Sequence, residues 1–336
     1  MKDQNHNAKA VLFNRTGGAD VLELHDIKMP EPADNEVLLH VKSVGLNRAD
    51  IMYRMGIFAE SPVFPAKLGY EAAGVVEKAG EQWKTTFKKG DMVNVLPAFS
   101  LHDYATYGDF IVVPGYSVQR YPEKLSFDEA AALWTSYLAT YGMLVDAGNI
   151  KQSDFVIINA ASSSTGLAAI QMVNYCGGIS IALTTSPRKK ERLLAAGAKY
   201  VVDTSDTEFG KKILAITNGH GADIILDPVT GKNFNQLVQT IAVNGKVFIY
   251  GVLSLEQAIF PSLPVLIKTP TIRGYSTGEV LANPEKLSRA VEYINKGISA
   301  GMLKPIIDRT FTLEEIALAH GYMETNAQFG KVVVNP

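Results

Sequence analysis

The pattern of apolar and polar positions divides the chain into two kinds of segment. Up to about residue 125, short apolar runs alternate with turn-forming residues. Lys9–Phe13, Val37–Val44, Gly74–Lys78, Met92–Leu96 and Phe110–Val113 read as strands, punctuated by Gly17-Gly18, Pro30–Pro32, Gly80 and Lys89-Gly90-Asp91. That spacing predicts a β-rich, barrel-like domain. Ser126 to about Val145 reads as helix, with Ser126 and Glu129 spaced as a capping box.

Beyond this point the period alternates between two and 3.6. Strands fit Phe155–Asn159, Ile179–Leu183, Tyr200–Val202, Asp223–Asp227 and Lys246–Tyr250. Helices fit Thr165–Cys176, Arg188–Ala196, Glu208–Thr217 and Asn233–Leu237 onward. Such alternation predicts a doubly wound parallel sheet. Pro284–Gly297 and the tail Phe311–Glu324 read as helices. Lys331–Val334 reads as a final strand that returns to the first domain.

The segment Asp154–Thr185 carries the most chemistry. It reads strand, small-residue turn, helix, strand, and every residue of Ala160–Gly166 is small. Such a turn lets backbone N–H groups approach a pyrophosphate at a helix N-terminus. Aligned on G-x-x-G-x-x-G, the chain has Ala160, Ser163 and Gly166, so one glycine of three remains. Ser163 suits the middle position if its backbone lies near the helical region. The hydroxyls of Ser162, Ser163, Ser164 and Thr165 are then candidate donors to phosphate. A small-residue turn without a ligand is the plainer reading of the same residues.

The end of the second strand bears on which dinucleotide fits. NAD-preferring folds place an acid there, about 20 residues past the loop, to hold the ribose 2′-OH. Here Thr184, Thr185, Ser186, Pro187, Arg188, Lys189 and Lys190 precede the first acid, Glu191. Hydroxyls followed by cations suit a 2′-phosphate, which predicts NADP(H). An exposed basic helix start, with Ser186 as N-cap and Pro187 at N1, is compatible with the same residues.

Composition narrows the picture further. The 336 residues suggest two domains, and a 47% hydrophobic, 20% charged chain is ordinary for a soluble enzyme. A net charge of −2 gives no electrostatic case for nucleic acid or membrane. The polar start MKDQNHNAKA has no apolar signal core. Cys176 is the only cysteine, which excludes an internal disulfide and fits a reducing cytoplasm.

Ordered segments along nearly the whole chain resemble the medium-chain dehydrogenase/reductases, specifically the zinc-free quinone oxidoreductase, or zeta-crystallin-like, branch. They include Gly17–Leu24, Pro30–Val41, GLNRAD at Gly45–Asp50, GYEAAGVVEKAG at Gly69–Gly80 and KKGDMV at Lys88–Val93. FDEAAAL at Phe127–Leu133, the AASSSTG loop, LDPVTG at Leu226–Gly231, RGYS at Arg273–Ser276 and FGKVV at Phe329–Val333 follow. The resemblance implies a GroES-like catalytic domain over residues 1–126, a Rossmann NADP(H)-binding domain over 127–273, and a return to the catalytic domain over 274–336. It also implies NADPH in an interdomain cleft and a homodimer joined through the Rossmann sheet edge.

Zinc-dependent relatives place Cys where this chain has Asn47, and His where it has Tyr70, and they carry a four-Cys lobe. The resemblance therefore implies no metal, and His25, His40 and His102 lack ligand spacing. Without zinc, electron-poor acceptors such as quinones or α,β-unsaturated carbonyls suit direct hydride transfer. The alternatives are an enoyl-thioester or alcohol dehydrogenase-like reductase, or a non-catalytic NADPH-binding protein. Asn47, Asp50, Tyr53 and Tyr70 are the catalytic candidates. Asn47 would hydrogen-bond substrate or carboxamide, or merely fix a turn. Tyr70 would donate to a developing oxyanion, or merely pack. Tyr137, Val229 and Gly251 are expected near the cofactor, with Phe329, Gly330 and Lys331 closing over it; a solvated strand lysine is the plainer reading of Lys331. Met52 replaces a tyrosine common among quinone reductases, with Tyr53 beside it, and Thr204 aligns with another family tyrosine.

Overall fold

The computed structural model describes residues 7–254 and 256–336; the first six residues of the polar start lie outside them. The chain forms two compact units, one of residues 1–135 with 305–336, the other of residues 136–304.

In the first unit, Glu36–Gly45 is the central strand and is buried along most of its length. It pairs with Glu71–Ala79, Phe110–Pro114 and Lys331–Asn335, and Met92–Val95 and Val118–Gln119 extend the sheet. Val37, Leu39, Val41, Val76, Val93 and Val113 pack its interior. The expected strands form here within a residue or two of their bounds, except Gly74–Lys78, which begins at Glu71. The return strand also forms, with Val334 opposite Val44. Ile307–Thr312 runs parallel to it, so Phe311 and Thr312 belong to a strand and the tail helix begins only at Ile316. One missed element matters for the site: the short helix Arg48–Arg54, which starts at Asn47.

The helix expected over 126–145 is broken into Phe127–Ala131, Trp134–Tyr141 and a π-turn, Gly142–Asp146. Its capping box is as expected: Ser126 Oγ accepts from Glu129 N at 3.2 Å, and Glu129 accepts from Ser126 N at 2.8 Å. The side chain of Tyr275 fills the space at Gly142.

The second unit holds a six-stranded parallel sheet. Its spatial order is Tyr200–Asp203, Ile179–Thr184, Phe155–Ile158, Ala222–Asp227, Ile241–Ile249 and Thr271–Gly274. This is a doubly wound order, with its switch point between Phe155–Ile158 and Ala222–Asp227. Those two strands are near-continuous apolar runs because both faces are covered. Ile157, Ile181, Leu183, Ile225 and Val247 form the core with Phe209, Phe234 and Leu237. Residues 127–135 go with the first unit and 274–304 with the second, whereas the resemblance implied changes at 126 and 273. Helix Pro284–Ser299 is held in the second unit by Lys286 to Asp146 at 2.7 Å and by Cys176 Sγ to Tyr293 at 3.3 Å.

Candidate cofactor loops and buried polar cluster

In the second unit, most of the residues singled out for the cofactor lie in loops at the C-terminal ends of neighbouring parallel strands. The first strand ends at Ile158, and Ala160 takes a left-handed φ of +50° to turn the chain. Ser163 then caps helix Ser164–Tyr175: its Oγ accepts from Gly166 N at 3.0 Å. Its backbone is extended (φ −71°, ψ 163°), so the near-helical condition for the middle position is not met, because an N-cap residue lies outside the helix it closes. Ser164 and Thr165 open the first turn. Gly166 packs so closely that an added Cβ would lie 2.6 Å from Ala161 Cα and 2.7 Å from Ala160 O. This is the close helix–strand contact that the last glycine of the motif provides.

The second strand ends at Thr184, whose Oγ1 accepts from Ser186 N at 3.1 Å. Ser186 precedes a short 3₁₀ turn, Pro187–Lys189, with Pro187 at its first position. Thr185 and Arg188 are exposed. Lys189 Nζ reaches back to the first loop and donates to Ser162 Oγ at 3.0 Å. A groove of about 530 Å³ lies beside this strand end, lined by Thr184, Pro187, Lys190, Val202, Asp203 and Lys212. Thr204 N and Oγ1 both donate to Thr184 O.

The fourth strand ends at Asp227, fully buried, which the sequence reading passed over. Its Oδ1 accepts from Asn159 Nδ2 at 2.9 Å and from Val229 N at 2.9 Å, and both its oxygens face Thr230 N. One carboxylate thus ties the loop after the first strand to the loop after the fourth, across the switch point. An acid closing an apolar strand and followed by P-V-T was its only sequence signal. Gly251 comes next to this loop, where a Cβ would lie 3.1 Å from Pro228 O. Tyr137 is buried in helix Trp134–Tyr141, and its hydroxyl donates to Gln171 Oε1 at 2.7 Å; Gln171 also pairs with both backbone groups of Lys304.

In the first unit, Asn47, Asp50, Glu71 and Lys331 converge. The Lys331 ammonium pairs with Glu71 and donates to Asn47 Oδ1 at 2.7 Å. Asn47 Nδ2 donates to Gly45 O at 3.1 Å and to Glu71 Oε1 at 3.2 Å, and Glu71 Oε2 accepts from Thr135 N at 2.9 Å. Two expectations change here. Asn47 has both amide donors engaged within the protein. Lys331, 2% exposed, is not a solvated strand lysine. Phe329 is buried beside it, and Gly330 has a φ of +117° with Ile306 O where a Cβ would stand.

Asp50 is fully buried. Its Oδ2 accepts from Asn47 N at 2.8 Å and from the Tyr107 hydroxyl at 3.0 Å. Burial, reinforced by Glu71, pushes its carboxyl up to about 7 against these bonds and the Lys331 charge. Tyr70 is half-buried, stacked on Phe99 (6.1 Å between ring centroids) and tilted against Phe58 (6.2 Å). Burial, then the Asp50 and Glu60 carboxyls, push its hydroxyl well above the ordinary value, so it stays protonated. Tyr53 is buried edge-on to Phe13, its hydroxyl raised by burial and by Glu60. Among the described residues, no group of three or more His, Cys, Asp or Glu gathers as a metal site, and no helix is long and apolar enough to cross a membrane.

Comparison with known proteins agrees with both folds. Residues 33–119 match the alcohol dehydrogenase GroES-like domain, and residues 164–296 match the zinc-binding dehydrogenase domain. The chain is 29% identical to the rat synaptic vesicle membrane protein VAT-1 homolog, over 98% of this chain and 84% of the relative. It is 28% identical to human quinone oxidoreductase, over 93% and 92%. Among solved structures, an NAD-dependent alcohol dehydrogenase is 29% identical with a TM-score of 0.88, covering 98% of this chain and 99% of that one. The quinone oxidoreductase of Pseudomonas syringae is 26% identical with a TM-score of 0.87, covering 98% and 100%. Two matched domains in this order, a doubly wound sheet and a small-residue loop at its first strand together make the chain a member of the medium-chain dehydrogenase/reductase superfamily, an oxidoreductase fold built around a nicotinamide cofactor.

Proposed function

We propose that this chain is an NADPH-dependent reductase that passes hydride to a quinone or an α,β-unsaturated carbonyl without a metal ion. The observation that carries the reading is the bond from Lys189 Nζ to Ser162 Oγ. It holds a cation from the second strand end beside the phosphate-loop serines, with Arg188 and Lys190 exposed nearby and no acid from Thr184 to Lys190. A ribose 2′-phosphate is the group such a corner suits. Ser162 and the first-turn N–H groups of helix Ser164–Tyr175 would hold the pyrophosphate.

Bound NADPH supplies the hydride. The acceptor takes those two electrons at an electron-poor carbon, and one proton follows to oxygen or carbon. Tyr70, kept protonated, is the donor in this reading. Asn47 stands where zinc-dependent relatives carry a cysteine, and its amide is engaged with Gly45, Glu71 and Lys331, which supports a metal-free route. A second copy of the chain is the proposed partner. Thr271–Gly274 is an edge strand, and the preceding segment exposes Ile259, Phe260, Leu263, Leu266 and Ile267.

Fluorescence titration tests the cofactor. NADPH should bind at least about tenfold more tightly than NADH, about 1.4 kcal/mol, and Lys189→Ala should narrow the gap. Equal affinities would overturn the assignment. NADPH oxidation with quinone and enone panels tests the reaction. Turnover of alcohols with NAD instead would favour the dehydrogenase reading, and binding without turnover a non-catalytic one.

A further inference from the structure

A single oriented chain of hydrogen bonds ends at Asp50. The Arg54 guanidinium, fully buried, pairs with Glu324 and donates from Nη1 to His320 Nδ1 at 3.0 Å. Arginine is a donor only, so Nδ1 must accept, and the His320 proton sits on Nε2. That N–H faces the Tyr107 oxygen at 3.1 Å. The Tyr107 hydroxyl is then free to donate in one direction, to Asp50 Oδ2 at 3.0 Å. Every bond from Arg54 to Asp50 thus points the same way. Asp50 Oδ1 is buried and has no hydrogen-bond partner among the described residues.

We propose that Tyr107 and His320 are positioning residues: through this chain they hold Asp50 and govern its protonation, and the charge on Asp50 governs the Tyr70 hydroxyl. The claim about Tyr70 rests on the reductase reading above. Four groups act on Asp50. The Asn47 N–H, Tyr107 and Lys331 favour its charged form and Glu71 disfavours it; Tyr70 feels its field in return. His320 is held neutral by burial and by the Arg54 and Arg48 charges, which push it down to about 3. The tautomer is therefore fixed through the neutral range, and within the chain Asp50 alone changes charge there, near 7. An ionised Asp50 tightens the hold of Tyr70 on its proton, so proton donation weakens as pH rises.

The test uses the full-length protein labelled with carboxyl-¹³C aspartate. One aspartate should titrate near 7 and vanish in Asp50→Asn. In Tyr107→Phe, which removes a bond favouring the carboxylate, its midpoint should move up by about half a unit or more. In parallel, kcat/KM for NADPH oxidation by a quinone should fall through the same midpoint, shift with it in Tyr107→Phe, and lose the break in Asp50→Asn. His320→Gln, which keeps a donor toward Tyr107, should leave the aspartate midpoint closer to wild type than His320→Leu. No aspartate titrating between about 6 and 8, or a midpoint indifferent to Tyr107→Phe, overturns the proposal. A midpoint that moves while the rate profile stays fixed overturns the link to Tyr70. Absence of turnover with every acceptor would fail the reductase reading alone, because the aspartate titration is read without turnover.

Discussion

Lys331 sits where only 2% of its surface meets solvent, and Glu71 and Asn47 take up its ammonium. Stripping two ions of water costs nearly what their attraction returns, so the pair adds little net stability, yet breaking it strands a charge. Lys331→Met should therefore destabilise the protein by about 3–5 kcal/mol in urea unfolding, and Lys331→Met with Glu71→Gln should recover much of the loss. A single-variant loss under about 1 kcal/mol would show that Glu71 finds another partner. Asp50 and His320 make a second prediction at this scale. The raised carboxyl of Asp50 contributes stability that is fully present below its ordinary 3.8 and is lost as pH rises toward about 7. The depressed imidazole of His320 contributes stability that is present above its ordinary 6.5 and is lost as pH falls toward about 3. Over the shared window the folded state carries its proton on Asp50 and the unfolded state on histidine, so the two offset. Asp50→Asn removes one arm, and its stability relative to wild type should fall as pH decreases from about 7 toward 3.8, by up to about 1.4 kcal/mol per unit. Urea unfolding at several pH values across that window checks this, and parallel curves would refute it.

Among elements, the turn from Ala160 to Gly166 has the clearest division of labour. Ser163 closes the helix and Gly166 lets it approach the strand. Ser163→Gly should retain NADPH binding, because glycine caps nearly as well, whereas Ser163→Ala should cost about 1 kcal/mol of stability. Gly166→Val should abolish NADPH binding, since its branched side chain meets the backbone of Ala160 and Ala161. Dissociation constants, with circular dichroism to monitor folding, separate these outcomes; normal binding by Gly166→Val would place the phosphate elsewhere. Both positions were legible in the sequence, because a loop of small residues between a strand and a helix has few uses. Strands buried on both faces, such as Ala222–Asp227, were equally legible from their apolar runs. The helix breaks near residues 132 and 142 were not, because Tyr275 at Gly142 is a contact across more than a hundred residues of sequence. The polar cluster was half legible. Asn47 and Asp50 share a motif, but Glu71, Tyr107, His320 and Lys331 reach them through pairings that no local pattern encodes.

At the scale of the whole molecule, the sheet edge in the second unit should join two copies. Light scattering on the eluting protein should give twice the chain mass, and Leu266→Lys with Ile267→Glu should give the monomer. A monomeric parent would remove the partner proposal without touching the cofactor assignment. The unit boundaries bear on stability in another way. The second unit is one continuous stretch, residues 136–304, whereas the first is assembled from residues 1–135 and 305–336. The second unit is thus an insertion in the first, and synthesis completes them in the opposite order to their beginnings. While the ribosome is still making residues 305–336, the second unit has all its strands. The first unit still lacks the strand that pairs with Val44 and Gly45 on the side away from Ala72 and Glu71, and Glu71 has no ammonium to meet. The half-built sheet must wait with an open edge and an uncompensated acid, and the strand that relieves both arrives only after the second unit.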